Sequence, residues 1–101
     1  MIIGIPTEIK NNEYRVGILP FGVEMLVEQG HQVLIEQDAG LGSGITNEEY
    51  KKVGAKIFST PVEVYAQSEL IVKIKEPMPS EYDLLKENQL VFTFFHFSAF
   101  G

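Results

Sequence analysis

The chain has 101 residues, 45% of them hydrophobic, no cysteine, and a formal net charge of −6. That length suits one domain with a single core, and the missing thiols exclude disulfides, zinc thiolates and thiol catalysis. The acids are spread along the chain and no basic cluster offsets them, which argues against nucleic acid or an anionic membrane as a partner.

Ile2 to Ile5 reads as a first strand, because the N-terminus lacks the basic flank and long apolar stretch of a signal peptide. Elsewhere no window approaches the roughly eighteen apolar residues of a membrane span. A polar loop from Thr7 to Arg15 leads to a helix from Pro20 to about Gln29. Its Val23, Leu26 and Val27 keep helical spacing, and Gly30 suits a left-handed cap. Val33-Leu34-Ile35, within Gln32–Glu36, forms a second strand. A glycine-rich loop then reaches a short helix near Asn47–Val53, opened by a capping box of Thr46 and Glu49 and closed by Gly54. Lys56–Phe58 is a third strand. Thr60-Pro61-Val62-Glu63 starts another helix with an N-cap, proline at N1 and glutamate at N3. A strand at Leu70–Ile74, a helical turn around Tyr82–Leu85 and a buried strand at Leu90–Phe95 complete the series. This alternation predicts an α/β fold: an open parallel sheet flanked by helices, flavodoxin- or Rossmann-like. No internal repeat or low-complexity linker interrupts it.

Five of the seven phenylalanines fall between Phe92 and Phe100. A strand that apolar needs cover on both faces, so the chain reads as cut short, with missing sequence packing here. The alternative is that Phe97–Phe100 folds back on its own domain.

In open α/β sheets ligands bind outside the carboxyl ends of the strands, and three residues stand at such ends. Lys75 follows the Leu70–Ile74 run, His96 follows Leu90–Phe95, and Arg15 sits in the loop after the first strand. Arg15 offers a planar fork for a carboxylate, while a lysine and an imidazole make a plausible catalytic pair. Each residue alone has a bland reading: a solvated lysine, a histidine closing a strand, a surface arginine paired with Glu8 or Glu13. Lys73 shares the face of Lys75 if the strand stays extended, and reads as structural or solvated rather than catalytic. Pro77 stops the strand and aims Lys75. His31 and His96 are the only histidines, which makes a multi-histidine metal site implausible. Tyr14, Tyr50, Tyr65 and Tyr82 read as half-buried. Gly40-Leu41-Gly42-Ser43-Gly44 invites a dinucleotide reading, but the fingerprint needs G-x-G-x-x-G. Here the third glycine comes one residue early, so a tight loop is the better reading.

Ile3-Gly4-Ile5-Pro6-Thr7-Glu8-Ile9-Lys10-Asn11-Asn12-Glu13-Tyr14-Arg15-Val16 strongly resembles the opening of bacterial alanine dehydrogenases. So do Gly40–Gly44, Val72-Lys73-Ile74-Lys75-Glu76-Pro77 and Phe92-Thr93-Phe94-Phe95-His96, and the match runs over essentially the whole chain. The superfamily includes the nucleotide-binding subunit of nicotinamide nucleotide transhydrogenase, which shares Asn-Glu-x-Arg-Val but has other residues at the places of Lys75 and His96. The resemblance implies that residues 1–101 are the N-terminal part of a substrate domain, with NAD bound by a domain absent from this chain. It implies conversion of L-alanine, water and NAD to pyruvate, ammonia and NADH in the cytoplasm. By motif, Arg15 would clamp the substrate carboxylate, Lys75 would contact the carboxylate or carbonyl oxygen, and His96 would be the general acid/base. A homohexamer is implied for the parent enzyme. For this chain alone the expectations are a monomer or dimer, no bound cofactor or metal, and no turnover. A transhydrogenase-type subunit and a non-catalytic binding or assembly module are the alternatives. Leu19 stands where relatives usually have a threonine N-cap, a loss of roughly 1 kcal/mol.

Overall fold

A computed structural model describes residues 1–94. His96 and the Phe97–Phe100 tail lie outside the described residues. Five strands are present, β1 (Ile2–Ile5), β2 (Gln32–Glu36), β3 (Lys56–Phe58), β4 (Leu70–Lys73) and β5 (Leu90–Thr93), with helices α1 (Pro20–Glu28), α2 (Asn47–Lys52) and α3 (Pro61–Gln67). Two 3₁₀ segments, Leu41–Ser43 and Pro79–Leu84, complete the set. All strand pairs are parallel, in the order β3-β2-β1-β4-β5. That is the Rossmann order rather than the flavodoxin order, and it puts the topological switch point between β1 and β4.

Side chains alternate across the central strands. Ile3 and Ile5 pack with Val23 of α1, Tyr50 of α2 and Val33 and Ile35 of β2 in one core cluster. Gly4 faces the other way, where a β-carbon would overlap Ser68 and press on Val64. Glycine at that point lets α3 and the residue after it seat directly on β1. The capping signals act as read: Thr46 and Glu49 form a reciprocal capping box, and the Thr60 hydroxyl accepts the Glu63 N–H. Gly30 and Gly54 take positive φ after their helices.

Leu19 holds the N-cap position of α1 in an extended conformation without any side-chain cap bond, and its side chain is exposed. Leu19→Thr is therefore expected to raise stability by about 1 kcal/mol. An unchanged or lower urea midpoint would show that the leucine packs against something worth more than the cap.

Over the described residues β5 pairs with β4 and leaves Leu90, Val91 and Phe92 exposed, the apolar surface for which the sequence reading expects cover. Two expectations need correction. The tyrosines are not alike, since Tyr50 and Tyr65 are fully buried while Tyr14 and Tyr82 are exposed. Each buried hydroxyl has a partner, Tyr50 donating to the Ile18 carbonyl at 2.6 Å and Tyr65 to Glu81 at 2.9 Å. Burial pushes the Tyr50 hydroxyl up to about 12. Finally, β4 ends at Lys73 rather than Ile74, so the extended strand that would put Lys73 and Lys75 on one face does not reach Lys75.

Candidate functional site

The loop after β1 and the end of β4 meet because β1 and β4 are neighbours in the sheet. The loop first makes a tight turn in which the Glu13 N–H donates to the Lys10 carbonyl and Asn12 takes φ 66°, a conformation asparagine tolerates. This turn sends the Glu13 side chain inward. Its carboxylate, 3% exposed, accepts the Arg15 Nε and Nη2 protons, both at 2.9 Å, and the Arg15 backbone N–H at 3.0 Å. The Lys75 ammonium approaches the same carboxylate at 3.9 Å. Arg15 remains 54% exposed and Lys75 24%, so an acid at the base of the crevice draws two cations together near its surface. The guanidinium beside Glu13 holds that carboxyl below the usual range, against the opposing effect of burial.

Glu8 fastens the β4 end from below. Its buried carboxylate accepts the Ile74 N–H at 2.9 Å, the Lys75 N–H at 3.2 Å and the Lys73 ammonium at 3.2 Å. Lys73 is buried too and lies 3.4 Å from Glu81 on its other side. A further tie, Lys10 to Glu76 at 2.6 Å, joins the same two loops. Glu36, at the end of β2, accepts the Thr7 N–H at 2.9 Å, and burial pushes its carboxyl pKa up.

Arg15, Glu13, Glu8, Lys10 and Asp38 are among the residues around a polar cavity of about 330 Å³. An apolar groove of about 620 Å³ adjoins it on the Arg15 side, between Val16, Leu19, Phe21, Ile74 and Phe94. The glycine-rich loop forms the wall beside Tyr14. A β-carbon at Gly42 would collide with the Tyr14 carbonyl oxygen, and the Ser43 hydroxyl donates to that oxygen at 3.3 Å. This loop does not fit a pyrophosphate cradle: it is a 3₁₀ turn closed by Gly44 at positive φ, and the following helix caps its own N-terminus. Among the described residues no group of three or more His, Asp or Glu is placed to hold a metal ion, and no helix is long and apolar enough to cross a membrane.

Arg15 and Lys75, singled out from sequence, are thus brought together at the switch-point crevice. The ladder between β4 and β5 runs on to a Phe94 N–H donated to the Lys73 carbonyl, so the carboxyl end of β5 reaches the same edge. The sequence offered Glu8 or Glu13 as the partner of a surface Arg15, and the structure pairs Arg15 with Glu13; that either acid also organises the end of β4 was not read. A local signal existed for Glu13, an acid two residues from an arginine in a turn; nothing local marks Glu8, whose partners lie at least 65 residues away.

The fold and the site define a Rossmann-like α/β domain with a charged crevice at its switch point, where Arg15 and Lys75 approach one buried carboxylate. The chain belongs to the family "Alanine dehydrogenase/PNT, N-terminal domain", whose model matches residues 4–99. It is 56% identical over 96 residues to an alanine dehydrogenase of Methanococcus maripaludis, covering 95% of this chain and 26% of that protein. Against an alanine dehydrogenase of Bacillus subtilis the identity is 48% over 99 residues, covering 98% and 26%. A solved L-alanine dehydrogenase superposes with a TM-score of 0.89 at 47% identity, over 92% of this chain and 26% of the other. A transhydrogenase from Sinorhizobium meliloti gives 0.86 at 29% identity, over 94% and 28%. The chain therefore spans about a quarter of the length of the proteins it matches.

Proposed function

We propose that this chain supplies the substrate-binding part of an NAD-dependent L-alanine dehydrogenase, a cytoplasmic homo-oligomer that converts L-alanine, NAD and water to pyruvate, ammonia and NADH. The observation that carries this reading is the convergence of Arg15 and Lys75 on one buried carboxylate at the switch point. An exposed arginine and a partly exposed lysine drawn to one acid suit a small 2-keto or 2-amino acid. Arg15 takes the ligand carboxylate through its planar fork, and Lys75 places a point charge beside the carboxylate or the carbonyl oxygen. His96 acts as general acid/base at that oxygen, because an imidazole titrates near neutrality. The nicotinamide cofactor accepts the hydride when bound, and its site belongs to sequence outside these residues. The higher identity to alanine dehydrogenases than to the transhydrogenase favours this reading over a transhydrogenase-type subunit.

Pyruvate titrated into the chain is expected to shift the backbone amide resonances of Arg15 and Lys75, with millimolar affinity because a three-carbon ligand makes few contacts. Arg15→Ala should weaken that binding about tenfold or more, since a hydrogen bond to a charged group contributes about 1.5–3 kcal/mol. Pyruvate binding that survives Arg15→Ala unchanged would overturn the assignment.

A further inference from the structure

The β1–β4 pairing ends at Gly4 and Ile71, short of the turn that presents Lys75. Past that point a side chain takes over from the backbone. The Glu8 carboxylate accepts the Ile74 N–H on Oε2 at 2.9 Å, and the Lys75 N–H and the Lys73 ammonium on Oε1, both at 3.2 Å. Its own stem is fixed, since Pro6 is fully buried and the Thr7 N–H is donated to Glu36 at 2.9 Å. Glu8 also belongs to the loop that carries Glu13 and Arg15, so one buried carboxylate joins both cation-bearing segments. We infer that Glu8 is a positioning residue of the crevice: it aims Lys75 at the ligand and sets the separation of Lys75 from Arg15. This rests on the reading that Arg15 and Lys75 bind the substrate, and it adds a residue that acts through Lys75.

The arrangement calls for an acid with two acceptor oxygens. Bonds from N–H groups to a carboxylate are stronger than those between neutral partners, so a neutral acceptor would hold the Ile74–Lys75 turn less firmly. Glutamine at position 8 has one acceptor oxygen, and its amide protons face whatever donor that oxygen leaves. With the oxygen on Lys73 and Lys75, the Ile74 N–H meets an NH2 group. Turned over, the amide presents that group to the Lys75 N–H and the Lys73 ammonium. Either way the turn shifts, and a displacement of about 1 Å is enough to spoil a positioned contact. The bland alternative is that Glu8 merely satisfies Lys73 and two backbone groups. Its loss would then lower stability and leave the ligand affinity of the folded chain unchanged. A second tie between the same loops, Lys10 to Glu76, is partly exposed, whereas the Glu8 side chain is 2% exposed. The buried tie is the one whose bonds water does not weaken.

A double-mutant cycle on pyruvate binding separates the two readings, with every dissociation constant taken from the Arg15 amide resonance. The parent chain is compared with Glu8→Gln, Lys75→Gln and the double variant. Lys75→Gln is expected to weaken pyruvate binding roughly fivefold, the upper end for a charge pair that water reaches. While Lys75 is present, Glu8→Gln should reproduce most of that loss, roughly threefold to fivefold. In the Lys75→Gln background it should change the constant by less than about twofold, because the group through which Glu8 acts is gone. Equal factors in the two backgrounds, or parent affinity in Glu8→Gln, overturn the proposal and leave the substrate reading standing. If Lys75→Gln binds pyruvate as the parent does, Lys75 is no ligand contact; that part of the substrate reading fails and takes the proposal with it. Should Glu8→Gln not fold, Glu8→Asp carries the cycle. It keeps a charge for Lys73, but its shorter arm cannot also hold both Ile74 and Lys75. The same pattern is expected, and equal factors in both backgrounds overturn the proposal there too.

Discussion

Lys73→Ala is expected to cost the fold about 3–5 kcal/mol, the usual penalty for removing one partner of a buried ion pair. A small domain has about 5–15 kcal/mol in all, so the variant should be marginal or unfolded at ambient temperature. The Lys73 side chain is 1% exposed, with its ammonium between Glu8 at 3.2 Å and Glu81 at 3.4 Å. Glu81 also holds the Tyr65 hydroxyl and the Met78 N–H, and Glu8 holds the backbone of Ile74 and Lys75. Deleting the ammonium leaves two desolvated carboxylates facing each other, and both are anchored by other bonds, so they cannot swing out to water. The triple variant Lys73→Met, Glu8→Gln, Glu81→Gln should recover part of the loss, because it removes the buried charges together and keeps the volume filled, while a single amide oxygen at position 8 cannot accept both the Ile74 and the Lys75 N–H. Urea denaturation followed by circular dichroism measures both. A Lys73→Ala midpoint equivalent to less than about 1 kcal/mol of destabilisation, the range of exposed pairs, would mean that water reaches this network. Lys75 is partly exposed and its ion pair with Glu13 is long.

The sequence carried a warning about Lys73 that periodicity alone does not use. A charged residue inside Ile71-Val72-Lys73-Ile74 falls in a strand of a parallel sheet, covered on both faces, so it must be paired in the interior. What could not be read was with what: Glu8 lies in the loop after β1 and Glu81 in a 3₁₀ segment, and only the strand order makes them neighbours. The elements that read correctly are those with local causes, such as the Thr46–Glu49 capping box, the Thr60-Pro61 helix start and the glycines after α1 and α2. The apolar run at Leu90 marked a strand as well, and among the described residues its Leu90, Val91 and Phe92 are exposed. At the site, the positions of Arg15 and Lys75 followed from the rule that crevices open at carboxyl strand ends. Their common counter-ion required knowing that β1 and β4 are adjacent.

Gly42→Ala joins the loop that looks like a nucleotide motif to the crevice that it supports. The added methyl would sit inside the contact radius of the Tyr14 carbonyl oxygen and at 3.0 Å from the Tyr14 β-carbon. The carbonyl is backbone, so it cannot rotate away as the end of a flexible side chain would. Either the glycine loop or the segment carrying Tyr14 and Arg15 must move. Overpacking of this kind costs about 1–3 kcal/mol, and the Ser43 bond to the same carbonyl oxygen is weakened with it. Arg15 follows Tyr14 directly, and its backbone N–H is already committed to Glu13 at 3.0 Å, so a displaced Tyr14 disturbs the cation that the proposed function depends on. The expected result is a lower denaturation midpoint together with weaker pyruvate binding, read from the Arg15 and Lys75 amide resonances. NADH added to the parent chain should leave the Gly40–Gly44 amides in place, since these residues form a packed turn rather than a phosphate cradle. If Gly42→Ala instead kept its stability and its pyruvate response while abolishing a measurable NADH response, the loop would be a cofactor element and its packing against Tyr14 incidental.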